Sequence, residues 1–229
     1  MERNPKKLKN NPAEQQASSS TSPYLPHDIF LSFRGPDIRN TFIDHLKREL
    51  GRAGYRVFFD EEGITLGKEI GSELPKAIQE SRSSIVVLSH DYASSKWCLN
   101  ELVTIMHRYK QDGHHVLPVF YHVHPSDVRH QRNSFANSFA KHQGACDEEI
   151  VNEWKESLAK IGGLKGIHVE EETKEAEVIQ KIVKEIGGYI RGTATIAIKS
   201  LSLAISPFCR KCIAFLQLLR TITSNLLLG

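Results

Sequence analysis

Trp97 and Glu101 are the two residues whose types and spacing point most directly to chemistry. They lie four residues apart in a segment whose apolar residues recur at helical spacing, so on a helix the two side chains share one side. An indole offers a stacking surface, and a carboxylate can stabilise a positive charge that develops on a bound sugar. A second interpretation stays open, in which Trp97 packs at the edge of the core and Glu101 is solvated.

A strand and a helix must position this pair. The apolar run at residues 84–89 predicts a buried strand that ends shortly before it, and a helix follows from Trp97 onward. Similar runs predict four further strands, at residues 27–33, 55–59, 116–121 and 166–169. Because helical patterns separate these runs, the sequence predicts an α/β fold with a mainly parallel sheet. Pro118 lies inside the fourth predicted strand, which favours an edge strand or a bulge at that position.

Three predicted loops should meet at the carboxyl ends of the strands, where open α/β sheets bind ligands. They are residues 32–39, 60–68 and 89–101. The loops carry four cations, which are Arg34, Arg39, Lys68 and Lys96. Cations beside an aromatic face suit a nucleotide, because the phosphates take the charges and a ring stacks on the indole.

A single carboxylate limits the reaction that such a site can catalyse. Ordinary glycoside hydrolysis usually uses a pair of carboxylates. Cleavage of the bond between nicotinamide and ribose needs no general acid, because nicotinamide leaves a pyridinium as a neutral group. Glu101 alone would then suffice, by hydrogen-bonding the ribose and stabilising its oxocarbenium-like charge.

Several other classes of function are disfavoured. The glycine-containing segment at 63–69 has the wrong spacing for a phosphate-binding P-loop. The histidines near 114–130 and the lone pair Cys209 and Cys212 lack the further ligands of a metal site, so no metal is predicted. A net charge of +3 does not predict nucleic-acid binding. The first residues contain no apolar secretory segment, which favours a cytoplasmic protein, with the nucleus or a membrane surface as further locations.

Four motifs resemble plant TIR domains in order and spacing. They are HDIFLSFRG at 27–35, ASSKWCLNEL at 93–102, LPVFY at 117–121 and PSDVR at 125–129. The resemblance implies a flavodoxin-like fold, with a five-stranded parallel sheet and helices on both faces. It also implies self-association, binding to other TIR domains, and NAD(P)+ cleavage in plant immune signalling.

The same resemblance implies roles for individual residues. Glu101 corresponds to the catalytic acid and Trp97 to the aromatic residue near the nucleotide. Arg34, Gly35 and Arg39 correspond to neighbours of the substrate pocket. NAD+ or NADP+ enters as the substrate, and no cofactor is implied.

Two association surfaces and one loop also follow from the resemblance. His45 marks the first surface and Gly162 the second, while residues 60–68 correspond to a mobile loop, the BB loop of the family. Residues 63–66 lack the arginines that many relatives carry there. That departure favours an alternative function, a non-catalytic adaptor that binds other TIR proteins.

The chain divides into three predicted segments. Residues 1–26 are polar and predicted to be disordered, residues 27–191 form the TIR domain, and residues 192–229 form an extension. Apolar residues recur at helical spacing within 208–228, with basic residues largely opposite. This pattern predicts either an amphipathic helix for a membrane surface or partner helix, or a weakly ordered extension. We expect a TIR-only protein or a truncated receptor, since no repeat or switch domain follows.

Overall fold

Five parallel strands form the centre of the molecule. The structure is a computed structural model and describes residues 25–59, 70–193 and 195. The strand order is β2-β1-β3-β4-β5, which is the flavodoxin-like order. The strands are β1 (His27–Phe33), β2 (Val57–Phe59), β3 (Ser81–Leu88), β4 (His115–Tyr121) and β5 (Ile167–Val169). The predicted α/β fold with a five-stranded parallel sheet is therefore confirmed.

Helices connect the strands and cover both faces of the sheet. They are α1 (Gly35–Ile38), which continues into a wider π-helical turn (Arg39–Ile43), α2 (Asp44–Arg52), α3 (Ile70–Gln79), a short 3-10 turn (Tyr92–Ser94), α4 (Lys96–Asp112), α5 (Pro125–His130), α6 (Ser134–His142), α7 (Glu148–Ile161) and α8 (175–193). Among the described residues, no helix combines the length and apolar character needed to span a bilayer.

The strands bury alternate residues on opposite faces of the sheet. In β1, Phe30 packs into a core with helices α3, α4, α6 and α7, whereas Ile29 and Leu31 pack into a second core with α2 and α8. This period of two is the geometry of an extended chain that is buried on both sides. Ser32 shares the face of Phe30, and so lies on the same side of the sheet as α4.

The third strand begins earlier than its apolar run. The sequence predicted a start at residue 84, but β3 begins at Ser81. The preceding serines are buried because their hydroxyls are satisfied: Ser81 Oγ donates to the Ala77 carbonyl at 2.7 Å and Ser83 Oγ to the Asp28 carbonyl at 3.2 Å. Polar residues that find backbone acceptors are compatible with a buried strand.

The expectation of an edge strand at Pro118 is wrong for the strand as a whole. β4 lies between β3 and β5. Its pairing with β5 begins only at Val119, opposite Ile167, so Pro118 precedes the part of β4 that has a neighbour on that side. The missing N–H of proline is tolerated there because, as at a sheet edge, no neighbouring strand on that side needs it as a donor.

Candidate functional site

A cavity of about 120 Å³ lies between α3 and α4. Its described lining consists of Leu74, Pro75 and Ile78 from α3, with Trp97, Asn100, Glu101 and Thr104 from α4. One wall is thus apolar, and the other combines an indole, an amide, a carboxyl and a hydroxyl. A pocket that holds a whole drug-sized ligand measures ~300–1,000 Å³, so this cavity would take one ring system of a larger molecule.

The start of α4 places the polar wall. Ser95 caps the helix, and its side chain accepts a hydrogen bond from the backbone N–H of Cys98 at 3.3 Å. Glu101 lies about one turn after Trp97, so both side chains reach the same cavity. The structure therefore brings together the two residues that the sequence had singled out.

Glu101 is buried, with 6% of its surface exposed. The Ser32 hydroxyl donates to its Oε2 at 2.6 Å, a short distance typical of a hydrogen bond to a carboxylate. The alternative in which Glu101 is solvated is therefore wrong. A buried carboxyl beside a cavity, held by a neighbouring hydroxyl, is suited to act on a bound ligand.

Tyr92 extends this contact into the core. Its Oη lies 2.9 Å from Ser32 Oγ and 3.0 Å from the carbonyl oxygen of Cys98, so its one proton can be donated to either atom. Burial raises the pKa of Tyr92 well above its usual value, and the nearby Cys98 and Glu101 add to the rise, while the hydrogen bond with Ser32 opposes it. Tyr92 therefore stays protonated and can act as a donor.

Trp97 is half-buried and packs against the core while lining the cavity. Its Nε1 is buried and has no hydrogen-bond partner among the described residues. Asn100 lines the same cavity, and its Oδ1 accepts a hydrogen bond from the indole of Trp154 at 2.8 Å. Since that contact assigns the amide oxygen, the amino group of Asn100 is the end that remains as a donor.

Arg34, Gly35 and Arg39 follow the carboxyl end of β1. Arg34 Nη1 lies 3.8 Å from Asp91 Oδ2, and the guanidinium of Arg39 lies 5.6 Å from the ring centre of Phe33. Gly35 is buried at the start of α1. None of the three is among the described residues that line the cavity. They lie at the same edge of the sheet as Ser32.

The two residues assigned to association surfaces differ in exposure. His45 is exposed on α2, whereas Gly162 is buried where α7 ends. A Cβ added at Gly162 would lie 2.6 Å from the backbone nitrogen of Arg129, so this glycine permits close packing of α7 against α5. The predicted loop at 60–68 and the amphipathic pattern at 208–228 lie outside the described residues.

Sequence reasoning missed Ser32, Tyr92 and Asn100 as parts of the site. The only local signal for Ser32 was a polar residue within the apolar run of β1. No group of three or more His, Cys, Asp or Glu side chains that could hold a metal occurs within 25–59 and 70–193.

Comparisons with known proteins identify the family of this chain. A family model described as "TIR domain" matches residues 26–209. The chain is 45% identical over 174 residues to "Disease resistance protein RPV1" of Vitis rotundifolia, covering 74% of this chain and 12% of that protein. It is 43% identical over 175 residues to "TMV resistance protein N" of Nicotiana glutinosa, covering 74% of this chain and 15% of that protein. The chain thus spans less than a fifth of the length of these relatives.

A solved structure is similar over nearly its whole length. It is described as "Structure of the activated Roq1 resistosome directly recognizing the pathogen effector XopQ (TIR domains)". The match has a TM-score of 0.65 and 43% identity, and covers 70% of this chain and 99% of that chain.

Proposed function

The chain belongs to the TIR domain family, and from this premise we propose that it is an NAD(P)+ glycohydrolase that acts in plant immune signalling. The observation that carries the proposal is the cavity between α3 and α4, which the indole of Trp97 and the buried carboxyl of Glu101 line together. NAD+ or NADP+ is the substrate, and the reaction requires no cofactor.

The proposed reaction breaks the bond between ribose C1′ and the nicotinamide nitrogen. The electron pair of this bond leaves with nicotinamide, and C1′ develops oxocarbenium-like positive charge. Glu101 stabilises that charge, and its burial strengthens the interaction because little water screens it. Water then bonds to C1′ and gives up a proton to Glu101, which returns it to solvent, leaving ADP-ribose or its 2′-phosphate.

The size of the cavity supports binding of one end of the dinucleotide. A volume of about 120 Å³ suits the nicotinamide ring against Trp97, with the rest of the substrate extending outward. Arg34 and Arg39 are charged groups at the same sheet edge and are assigned to the phosphates, with Gly35 between them allowing close approach.

Self-association is part of the proposal. The similar TIR domains of known structure belong to an activated resistosome, and His45 is exposed on α2 in this chain. We assign His45 to a surface between copies of the domain, and place the protein in the cytoplasm. Activity per protomer should then rise with protein concentration.

The test is nicotinamide release from NAD+ by the full chain over a range of protein concentrations. Glu101→Gln removes the charge with little change in volume, and the rate should fall by a factor of ~100 or more. Glu153→Gln is the matched control, because it makes the same change on an exposed residue of α7 and should leave the rate unchanged.

Two results would count against the proposal. An unchanged rate for Glu101→Gln would show that Glu101 is not the catalytic residue. Absence of release by the wild type at every concentration, while the chain still bound other TIR domains, would instead support the adaptor function.

A further inference from the structure

Three oxygen–oxygen contacts link Glu101 to Ser32, Tyr92 and the Cys98 carbonyl, and an ionised Glu101 leaves only two protons for them. Ser32 Oγ lies 2.6 Å from Glu101 Oε2 and 2.9 Å from Tyr92 Oη, and Tyr92 Oη lies 3.0 Å from the carbonyl oxygen of Cys98. Each hydroxyl carries one proton, so Ser32 and Tyr92 provide two protons for three contacts. A third proton, on Glu101 Oε2, would make every contact a hydrogen bond.

The direction of donation in this chain depends on the state of Glu101. When the carboxyl is ionised, Tyr92 donates to Ser32 and Ser32 donates to Oε2. When Oε2 is protonated, Glu101 donates to Ser32, Ser32 donates to Tyr92, and Tyr92 donates to the Cys98 carbonyl. Both arrangements use the same heavy-atom positions, so only hydroxyl protons have to rotate.

The two hydroxyls of this arrangement are shielded from solvent. Ser32 is 1% exposed and Tyr92 is fully buried, so bulk water does not replace either hydroxyl as a partner. A buried polar group that loses its partner is costly, so removing either hydroxyl should disturb the geometry of the carboxyl.

We propose that Ser32 and Tyr92 are positioning residues that hold the Glu101 carboxyl through a hydrogen-bond chain whose direction reverses when Glu101 takes up a proton. This inference rests on the proposed function, in which water gives its proton to Glu101 as its oxygen bonds to ribose C1′. The reversed chain stabilises the protonated carboxyl until the proton passes to solvent, and the original direction then returns.

A kinetic double-mutant cycle tests the chain in the full-length protein. Ser32→Ala removes the direct contact, so kcat for NAD+ should fall about tenfold while KM changes less than about twofold. Tyr92→Phe keeps the ring and should lower kcat about threefold. In the Ser32→Ala background the same change should lower kcat no further, because Tyr92 acts through Ser32.

Matched controls separate this effect from a general loss of packing. Ser83→Ala removes another buried strand hydroxyl, and Tyr121→Phe removes another phenol that bonds a carboxylate, Glu175, away from the cavity. Both should leave kcat within about twofold of the wild type. Thermal unfolding of each variant, followed by circular dichroism, verifies that the proteins compared are folded.

The outcomes distinguish this inference from the function on which it rests. If the rate depends on Glu101 but Ser32→Ala leaves kcat unchanged, the positioning role is overturned and the glycohydrolase assignment stands. If Tyr92→Phe lowers kcat by the same factor in both backgrounds, the chain is overturned. If the wild type releases no nicotinamide at any concentration, the proposed function fails and the inference fails with it.

Discussion

The Nε1 of Trp154 lies 2.8 Å from the Oδ1 of Asn100, and this contact joins α7 to the polar wall of the cavity. Trp154 is buried and its ring packs in the core, so its position is fixed by many neighbours. Asn100 lies on the outer part of α4 and has few such constraints. The hydrogen bond therefore transmits the rigidity of the core to an amide that faces a prospective ligand.

Removing the amide of Asn100 should destabilise the fold. Asn100→Ala leaves the buried N–H of Trp154 without its acceptor, which costs about 1–2 kcal/mol in the free energy of unfolding. Asn100→Asp keeps an acceptor oxygen in the same place and should retain most of the stability. Urea titration of the three proteins checks this. Equal losses for both variants would show that the acceptor is unimportant.

The second tryptophan, Trp97, should behave differently. Its Nε1 has no hydrogen-bond partner among the described residues. Trp97→Phe therefore removes no hydrogen bond to those residues and should leave the unfolding free energy nearly unchanged. The ring of phenylalanine still offers a face, and KM for NAD+ should rise only about twofold to fivefold.

Trp97→Ala removes the aromatic face on which the nicotinamide ring is proposed to stack. Loss of one stacking surface costs roughly 1–3 kcal/mol, so KM should rise at least about fivefold. Steady-state kinetics of both variants measures the difference. A KM for Trp97→Ala equal to that of the wild type would show that the indole is a core residue that contributes nothing to binding.

The sequence predicted this wall of the site because its members are close along the chain. Trp97 and Glu101 share a helix side by spacing alone, and alternating strands and helices predict a mainly parallel sheet. Ser32 could not be assigned in the same way. It lies 69 residues before Glu101 and 60 before Tyr92, and only the finished sheet brings the three together.

Gly162 illustrates a different limit of sequence reasoning. The resemblance assigned it to an association surface, but a glycine can also be required by internal packing, and local sequence does not distinguish the two. Its neighbour Arg129 belongs to α5, which precedes α7 by many residues. The contact that restricts Gly162 is therefore visible only in the folded structure.

Gly162→Ala should accordingly lower stability. The added methyl would lie 2.6 Å from the Arg129 backbone nitrogen, so α5 and α7 must separate, at a cost of about 1–3 kcal/mol. Gly163→Ala is the matched control, since the closest atom there is the Lys160 carbonyl oxygen at 3.4 Å. Unfolding by urea gives both values. A fully stable Gly162→Ala protein that fails to associate would instead place Gly162 at the interface.

His114 is a buried imidazole immediately before β4. Its Nε2 lies 2.8 Å from Ser84 Oγ, and its Nδ1 has no hydrogen-bond partner among the described residues. Burial, with the positive charge of Arg108 and a smaller effect of His115, lowers the pKa of His114 to about 4, although Asp112 opposes the shift. The folded protein therefore keeps this ring neutral near pH 5.

This depressed pKa makes stability depend on pH in a defined window. The pKa of His114 is about 6.5 in the unfolded chain and about 4 in the folded protein. Between these pH values the unfolded chain binds a proton at His114 that the folded protein does not bind. Stability from His114 is thus complete above about pH 6.5 and is lost as the pH falls toward 4, by up to roughly 3 kcal/mol.

His114→Gln cannot take up this proton, so its unfolding free energy should fall less between pH 7 and pH 4.5 than that of the wild type. Urea titrations at each pH compare the two proteins. A His114→Gln slope equal to that of the wild type would show that some other group carries the acid sensitivity.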